Sequence, residues 1–108
     1  MANYLIIDSR DPFGAADTLF NRQLAADLAA AGHGVALFLV QNGVLAARPC
    51  AVSQSLSDLA GQGVEILADE FSLRQRGIPD DGLIDGVKAA PLDVVIDRMC
   101  DGHKTIWQ

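Results

Sequence analysis

Apolar residues fall along this chain in short, nearly unbroken runs separated by longer stretches of helical spacing. Tyr4 to Asp8 is apolar up to a polar last residue, His33 to Val40 is apolar almost throughout, and Val64 to Ala68 repeats the pattern. Runs of this length predict strands, and their lack of strict polar alternation predicts cover on both faces. Between them the spacing changes. Ala15 to Ala31 predicts a helix stopped by Gly32, and Gly43 to Arg48 a short one ended by Pro49. Val52, Leu56, Leu59 and Ala60 keep helical spacing around Ser53, a good N-cap, as far as Gly61 and Gly63. Ser72 is placed to cap a turn ending at Gly77, and Asp80 another ahead of Leu83 and Ile84. Val87 to Ala89 predicts a brief fourth strand, and Pro91 sits where the first turn of a last helix tolerates it. Leu92, Val95, Ile96 and Met99 form a stripe along that helix, and Thr105 to Trp107 predicts the fifth strand.

Strand and helix alternate throughout. The chain therefore reads as an α/β domain with a mostly parallel sheet of about five strands, the first of them central, joined by right-handed crossovers. Its 108 residues fit one domain, taken as residues 1–108. The long first helix leaves two readings open. Phe20, Leu24 and Leu28 define one face, while Ala15, Ala25, Ala26 and Ala29 spread small apolar residues over the other side. Either the helix is buried on most sides, or alanine is tolerating exposure.

Composition narrows the range of partners. Half of the residues are hydrophobic and the mean hydropathy is +0.22, an apolar excess that points to self-association. The net charge of −6 repels phosphate backbones, so no nucleic-acid partner is expected. The apolar runs Val35 to Val40 and Val94 to Ile96 are too short to cross a bilayer, and Met1 to Asp8 has no signal-peptide pattern. The expectation is a cytoplasmic protein without a membrane partner.

Chemistry has few carriers here. Cys50 and Cys100 are the only cysteines, and neither they nor His33 and His103 have metal-ligand spacing. There is no glycine-rich phosphate loop, and no metal or cofactor is expected. In parallel sheets ligands gather at the carboxyl ends of the strands. That rim carries Asp8 to Gly14, Gln41 to Val44, Asp69 to Ser72 and the residues after Ala89. Asp11, Asp69, Ser72 and Arg76 are the ligand-pocket candidates. Asp69 reads as a general base or hydrogen-bond acceptor, or as a plain strand-end turn residue. Ser72 reads most simply as a helix cap, and Arg76 as a charge for a bound anion or a helix C-terminal cation. Cys50, after Pro49, is an exposed thiol or a small buried hydrophobe; Cys100, beside Met99, reads as a packing residue.

Four segments in order resemble the DsrE/DsrF-like family, which includes the TusD-type subunits of sulfur relay. They are NYLIIDSRDPFGAADTLFNRQLAADLAAAGHGVALFLVQNGVLAA, GVEILADEFSLRQRGI, DGLIDGVKAAPLDVVIDRM and CDGHKTIW. The resemblance implies a flavodoxin-like three-layer α/β/α fold and homo-oligomers, trimers or hexamers. It also implies a sulfur-carrier protein as partner, because active members hold a persulfide on a cysteine just after the third strand and pass it on. Counting back from Arg76 and Gly77, that cysteine position falls on Asp69, and a second cysteine position seen in some members falls on Ser72. A carboxylate or hydroxyl cannot store a sulfane sulfur, which needs a polarisable thiolate that attacks and later leaves. Three readings follow. The favoured one is an oligomeric, binding or scaffolding subunit of sulfur metabolism. The others are a sulfurtransferase using Cys50 or Cys100, and a small-molecule enzyme or sensor with Asp69 in its pocket.

Overall fold

The computed structural model describes residues 2–11, 16–51 and 53–107, without the side chains of residues 16–18. The expectations placed on Pro12, Gly14, Ala15 and Val52 lie outside the described residues. Five strands, β1 (Asn3–Asp8), β2 (Gly34–Leu39), β3 (Glu65–Asp69), β4 (Val87–Ala90) and β5 (Lys104–Trp107), form one sheet. Their spatial order is β4-β3-β2-β1-β5, and every neighbouring pair is parallel. The sheet is thus wholly parallel. β1 is interior as expected, but β2 holds the middle place.

Between the strands lie α1 (Ala16–Ala30), α2 (Gln54–Gly61), α3 (Glu70–Gln75) and α4 (Asp93–Cys100), with 3-10 helices at Gln41–Ala47 and Asp80–Gly82. The order of the strands decides which face each crossover covers. From β1 to β4 the chain steps in one direction, and right-handed connections put those helices on one face. The last step reverses, passing over to the far side of β1, so α4 lies alone on the other face. The side chains follow. Ile6, Leu37, Leu39, Ile66 and Ala68 point into a core shared with Ala25, Leu56, Leu59 and Leu73. Their odd-even neighbours Leu5, Ile7, Phe38, Val40 and Leu67 pack with Val95 of α4. Three layers result, with very unequal outer layers.

Some local expectations are corrected. Ser72 does not cap α3; β3 runs into that helix without a loop, so Asp69 is the cap and Ser72, in the first turn, is its donor. Ser53 precedes α2 but makes no cap bond; its hydroxyl instead donates to the Cys50 carbonyl at 2.8 Å and accepts from the Cys50 N–H at 3.2 Å. Asp80 is the first residue of its 3-10 turn and not a side-chain cap. On α4 only Val95 is buried, while Leu92, Ile96 and Met99 are more than half exposed. That stripe therefore runs along solvent, and Cys100 beside it is exposed rather than packed. On α1, Leu24 and Leu28 face the core but Leu19 and Phe20 do not. No helix of the described residues is long and apolar enough to cross a membrane.

Candidate functional site

Strand parity aims Asp69. It lies two residues beyond Leu67, so its side chain leaves the sheet on the α4 face, at the carboxyl end of β3. There it is 7 % exposed and serves as the cap of α3. Its Oδ2 accepts from the Ser72 N–H at 3.1 Å and from the Ser72 hydroxyl at 2.7 Å. The same hydroxyl oxygen accepts from the Gln41 N–H at 2.8 Å. Gln41 is held at φ +50, the one non-glycine residue with positive φ among those described. A buried polar chain, Gln41 to Ser72 to Asp69, therefore joins the end of β2 to the end of β3.

Arg76 extends that chain outward. It donates from Nε and Nη2 to Asn42 Oδ1, at 3.2 and 2.9 Å, and from Nη1 to the Ser72 carbonyl at 3.2 Å. Its charge clamps α3 to the 3-10 helix and does not line the cavity beside Asp69.

That cavity has a volume of about 350 Å³. Asp69, Ser72, Gln41 and Gln75 give it polar atoms along one side. Ile7 and Val40 come from the sheet, Val95 and Ile96 from α4, and Phe71 and Trp107 add aromatic walls. The position is that of a ligand site in an open parallel sheet. It runs along the carboxyl edge from the end of β3 past β2 and β1 to β5, and so takes in the point where the strand order reverses. Asp69 is the only ionisable residue among its described lining.

A second strand-end acid faces the other way. Asp8, 1 % exposed, ends β1 on the α1 side and accepts from the Arg10 N–H at 3.1 Å. Burial raises its pKa, with the Arg10 hydrogen bond and the nearby Arg22 charge opposing that shift. Arg22 of α1 is 7 % exposed and donates to the Ser55 hydroxyl. Its own pKa is lowered by burial, against the charge of Asp8. The Arg22–Ser55 bond ties α1 to α2.

Of the residues expected in the pocket, Asp69 and Ser72 line it together and Arg76 braces them from outside. Asp11 is exposed in the loop after β1 and lines none of it. Cys50 is half-buried beside the start of α2, its thiol 3.9 Å from the Leu45 carbonyl. Cys100 lies at the far end of α4, on the opposite edge of the sheet from Asp69. Gln41, Phe71 and Trp107 were not singled out from the sequence, and neither was the buried Arg22. Among the described residues no group of three or more His, Cys, Asp or Glu is placed to hold a metal ion.

Comparison with known proteins bears on this arrangement. The model of the DsrE/DsrF-like family matches residues 2–107. The chain belongs to the DsrE/DsrF-like family. Solved structures share its fold. The YchN protein from E. coli superposes with a TM-score of 0.89 at 23 % identity, covering 100 % of both chains. MTH1491 from Methanobacterium thermoautotrophicum, titled a protein of unknown function, gives 0.84 at 23 %, covering 98 % of this chain and 100 % of its own. BT1422 from Bacteroides thetaiotaomicron gives 0.77 at 19 %, covering 98 % and 95 %. No curated protein matches the sequence significantly. This DsrE/DsrF-like chain thus carries, at the carboxyl edge of its third strand, a carboxylate and a hydroxyl bonded to each other beside an apolar cavity.

Proposed function

We propose that this DsrE/DsrF-like chain is a binding or scaffolding subunit associated with sulfur relay, and that it does not itself carry sulfur. The observation behind this reading is the Asp69–Ser72 pair. The resemblance assigns the carrier cysteine to position 69 and a second cysteine to position 72, and here the two side chains are bonded to each other at 2.7 Å. A sulfane carrier works as a thiolate that attacks the outer sulfur of a donor and is later displaced; neither oxygen nucleophile does this. Neither Cys50 nor Cys100 is among the cavity's described lining.

The expected partners are further copies of this chain, as a trimer or hexamer, and a sulfur-carrier protein. Leu19 and Phe20 on α1 and Ile96 and Met99 on the opposite face, each more than half exposed, support self-association, since large apolar side chains left at the surface favour contacts that cover them. Sedimentation velocity at micromolar concentration is expected to give a multiple of three chains; a monomer would refute this part of the reading.

Sulfur transfer through Cys50 or Cys100 is a second reading with one observation in its favour, that both thiols are free and that of Cys100 is exposed. Mass spectrometry after incubation with polysulfide separates the two. The parent chain is expected to stay free of added sulfur. Asp69→Cys, whose thiol is smaller than the carboxylate it replaces, is expected to gain it. Loading of Cys50 or Cys100 in the parent to the level of the variant would establish the second reading instead.

A further inference from the structure

The two oxygens of Asp69 are not in the same situation. Oδ2 is saturated by Ser72, through its N–H and its hydroxyl. Oδ1 receives no hydrogen bond from any described residue, although the side chain is 93 % buried by its 7 % exposure. What little of Asp69 is accessible opens on the cavity. That oxygen is open to the cavity, and no lysine, arginine or histidine of the described lining pairs with it. The same cavity is lined by Phe71 and, on the far side at β5, by Trp107, exposed by 58 % and 69 % within the chain, together with Leu92 and Ile96. Aromatic faces attract cations, and the apolar side chains favour a hydrophobic body. The carboxylate and the aromatic walls are independent features, and they select the same chemistry.

We propose that this cavity binds a small organic ammonium ion, an amine carried on an apolar or aromatic body. The head group donates to Asp69 Oδ1 and the body lies between Phe71, Trp107 and α4. At about 350 Å³ the cavity falls at the small end of ligand sites, roughly 300–1,000 Å³, which suits a single-ring amine. The polar chain from Gln41 through Ser72 fixes the carboxylate, so its free oxygen is held in place before a ligand arrives. The proposal deepens the reading of Asp69 as a binding residue and rests on it.

Trp107 is the only tryptophan in the chain, so its fluorescence reports the cavity directly. The full-length protein is titrated with phenethylammonium, with its neutral analogue 2-phenylethanol, and with the anion 3-phenylpropanoate. The ammonium is expected to bind about tenfold more tightly than the alcohol, and the anion most weakly of the three. Asp69→Asn is expected to bring ammonium and alcohol within about twofold of each other. Phe71→Ala, at an exposed position that folding does not depend on, is expected to weaken ammonium binding about fivefold. Equal affinity of the parent for ammonium and alcohol overturns the proposal. So does a preference that survives in Asp69→Asn, or no saturable change with the ammonium up to about 10 mM, whether the groove is empty or filled by a second copy. Sulfur loading of the parent is scored by mass alone, so this proposal and the reading beneath it fail by separate measurements.

Discussion

Phe38→Ala is expected to remove about 4 kcal/mol of folding stability, the range found when a fully buried aromatic is truncated. Phe38 is 0 % exposed and is the largest buried side chain on the α4 face. Sheet register gives it its neighbours: it pairs with Ile7 on one side and Leu67 on the other, and Ile7 in turn pairs with Trp107. These four residues form a row across β3, β2, β1 and β5 on one face. Only α4 covers that row, and it contributes a single buried residue, Val95. Strands fixed by ladders on both sides cannot move in to fill the space, and one short helix has little to offer. The cavity term therefore adds almost in full to the lost transfer energy. Denaturant unfolding at constant m-value measures it, and a loss below about 1 kcal/mol would show that the α4 face is not a packed core.

Gly43→Ala is expected to cost about 3 kcal/mol and to weaken any ligand of the Asp69 cavity, although residue 43 does not line it. A Cβ at this position would stand well inside contact distance of the Asp8 carbonyl oxygen. That obstacle is backbone. The same carbonyl accepts from the Val40 N–H at 3.0 Å, and the Gly43 N–H donates to the Val40 carbonyl at 2.9 Å. Relief thus requires the 3-10 helix to lift away from the end of β1, and Gln41 to move with it. The bond from the Gln41 N–H to Ser72 is the first casualty, and with it the placing of Asp69. Thermal or denaturant unfolding gives the stability loss. A stable Gly43→Ala protein with unchanged ligand binding would disprove the coupling.

The strands were legible because a parallel sheet covered on both faces writes itself as unbroken apolar runs, as in Val35 to Val40. What covers an apolar residue is not written there. Leu92, Val95, Ile96 and Met99 share a helical stripe, yet one packs on the sheet and three face outward, because periodicity reports a face and not its partner. Asp69 was legible as a rim residue from its place after a buried strand. Its role as the α3 cap was not, because Asp69 and Ser72 both suit a cap and only the missing loop between β3 and α3 chooses between them. Phe71 follows Asp69 by two residues, but Trp107 lies far from both in the chain, and only the strand order brings it to the same cavity. Arg22 is buried with its guanidinium on Ser55 of α2, and in one dimension nothing links the two.

The sheet order also sets a constraint on how the molecule comes to be made. β1 is flanked by β2 on one side and, on the other, by a strand formed from residues 104–107. During synthesis the N-terminal strand can acquire its first neighbour early, but its outer edge stays open until nearly the whole described chain has left the ribosome. An open edge with Leu5, Ile6 and Ile7 in it is a template for strand addition by any neighbouring chain. β5, when it arrives, is short and largely uncovered, so it closes that edge weakly. Loss of residues 104–107 would therefore do more than remove Trp107 from the cavity: it would leave β1 with one permanently open edge, exposed to strand addition throughout translation.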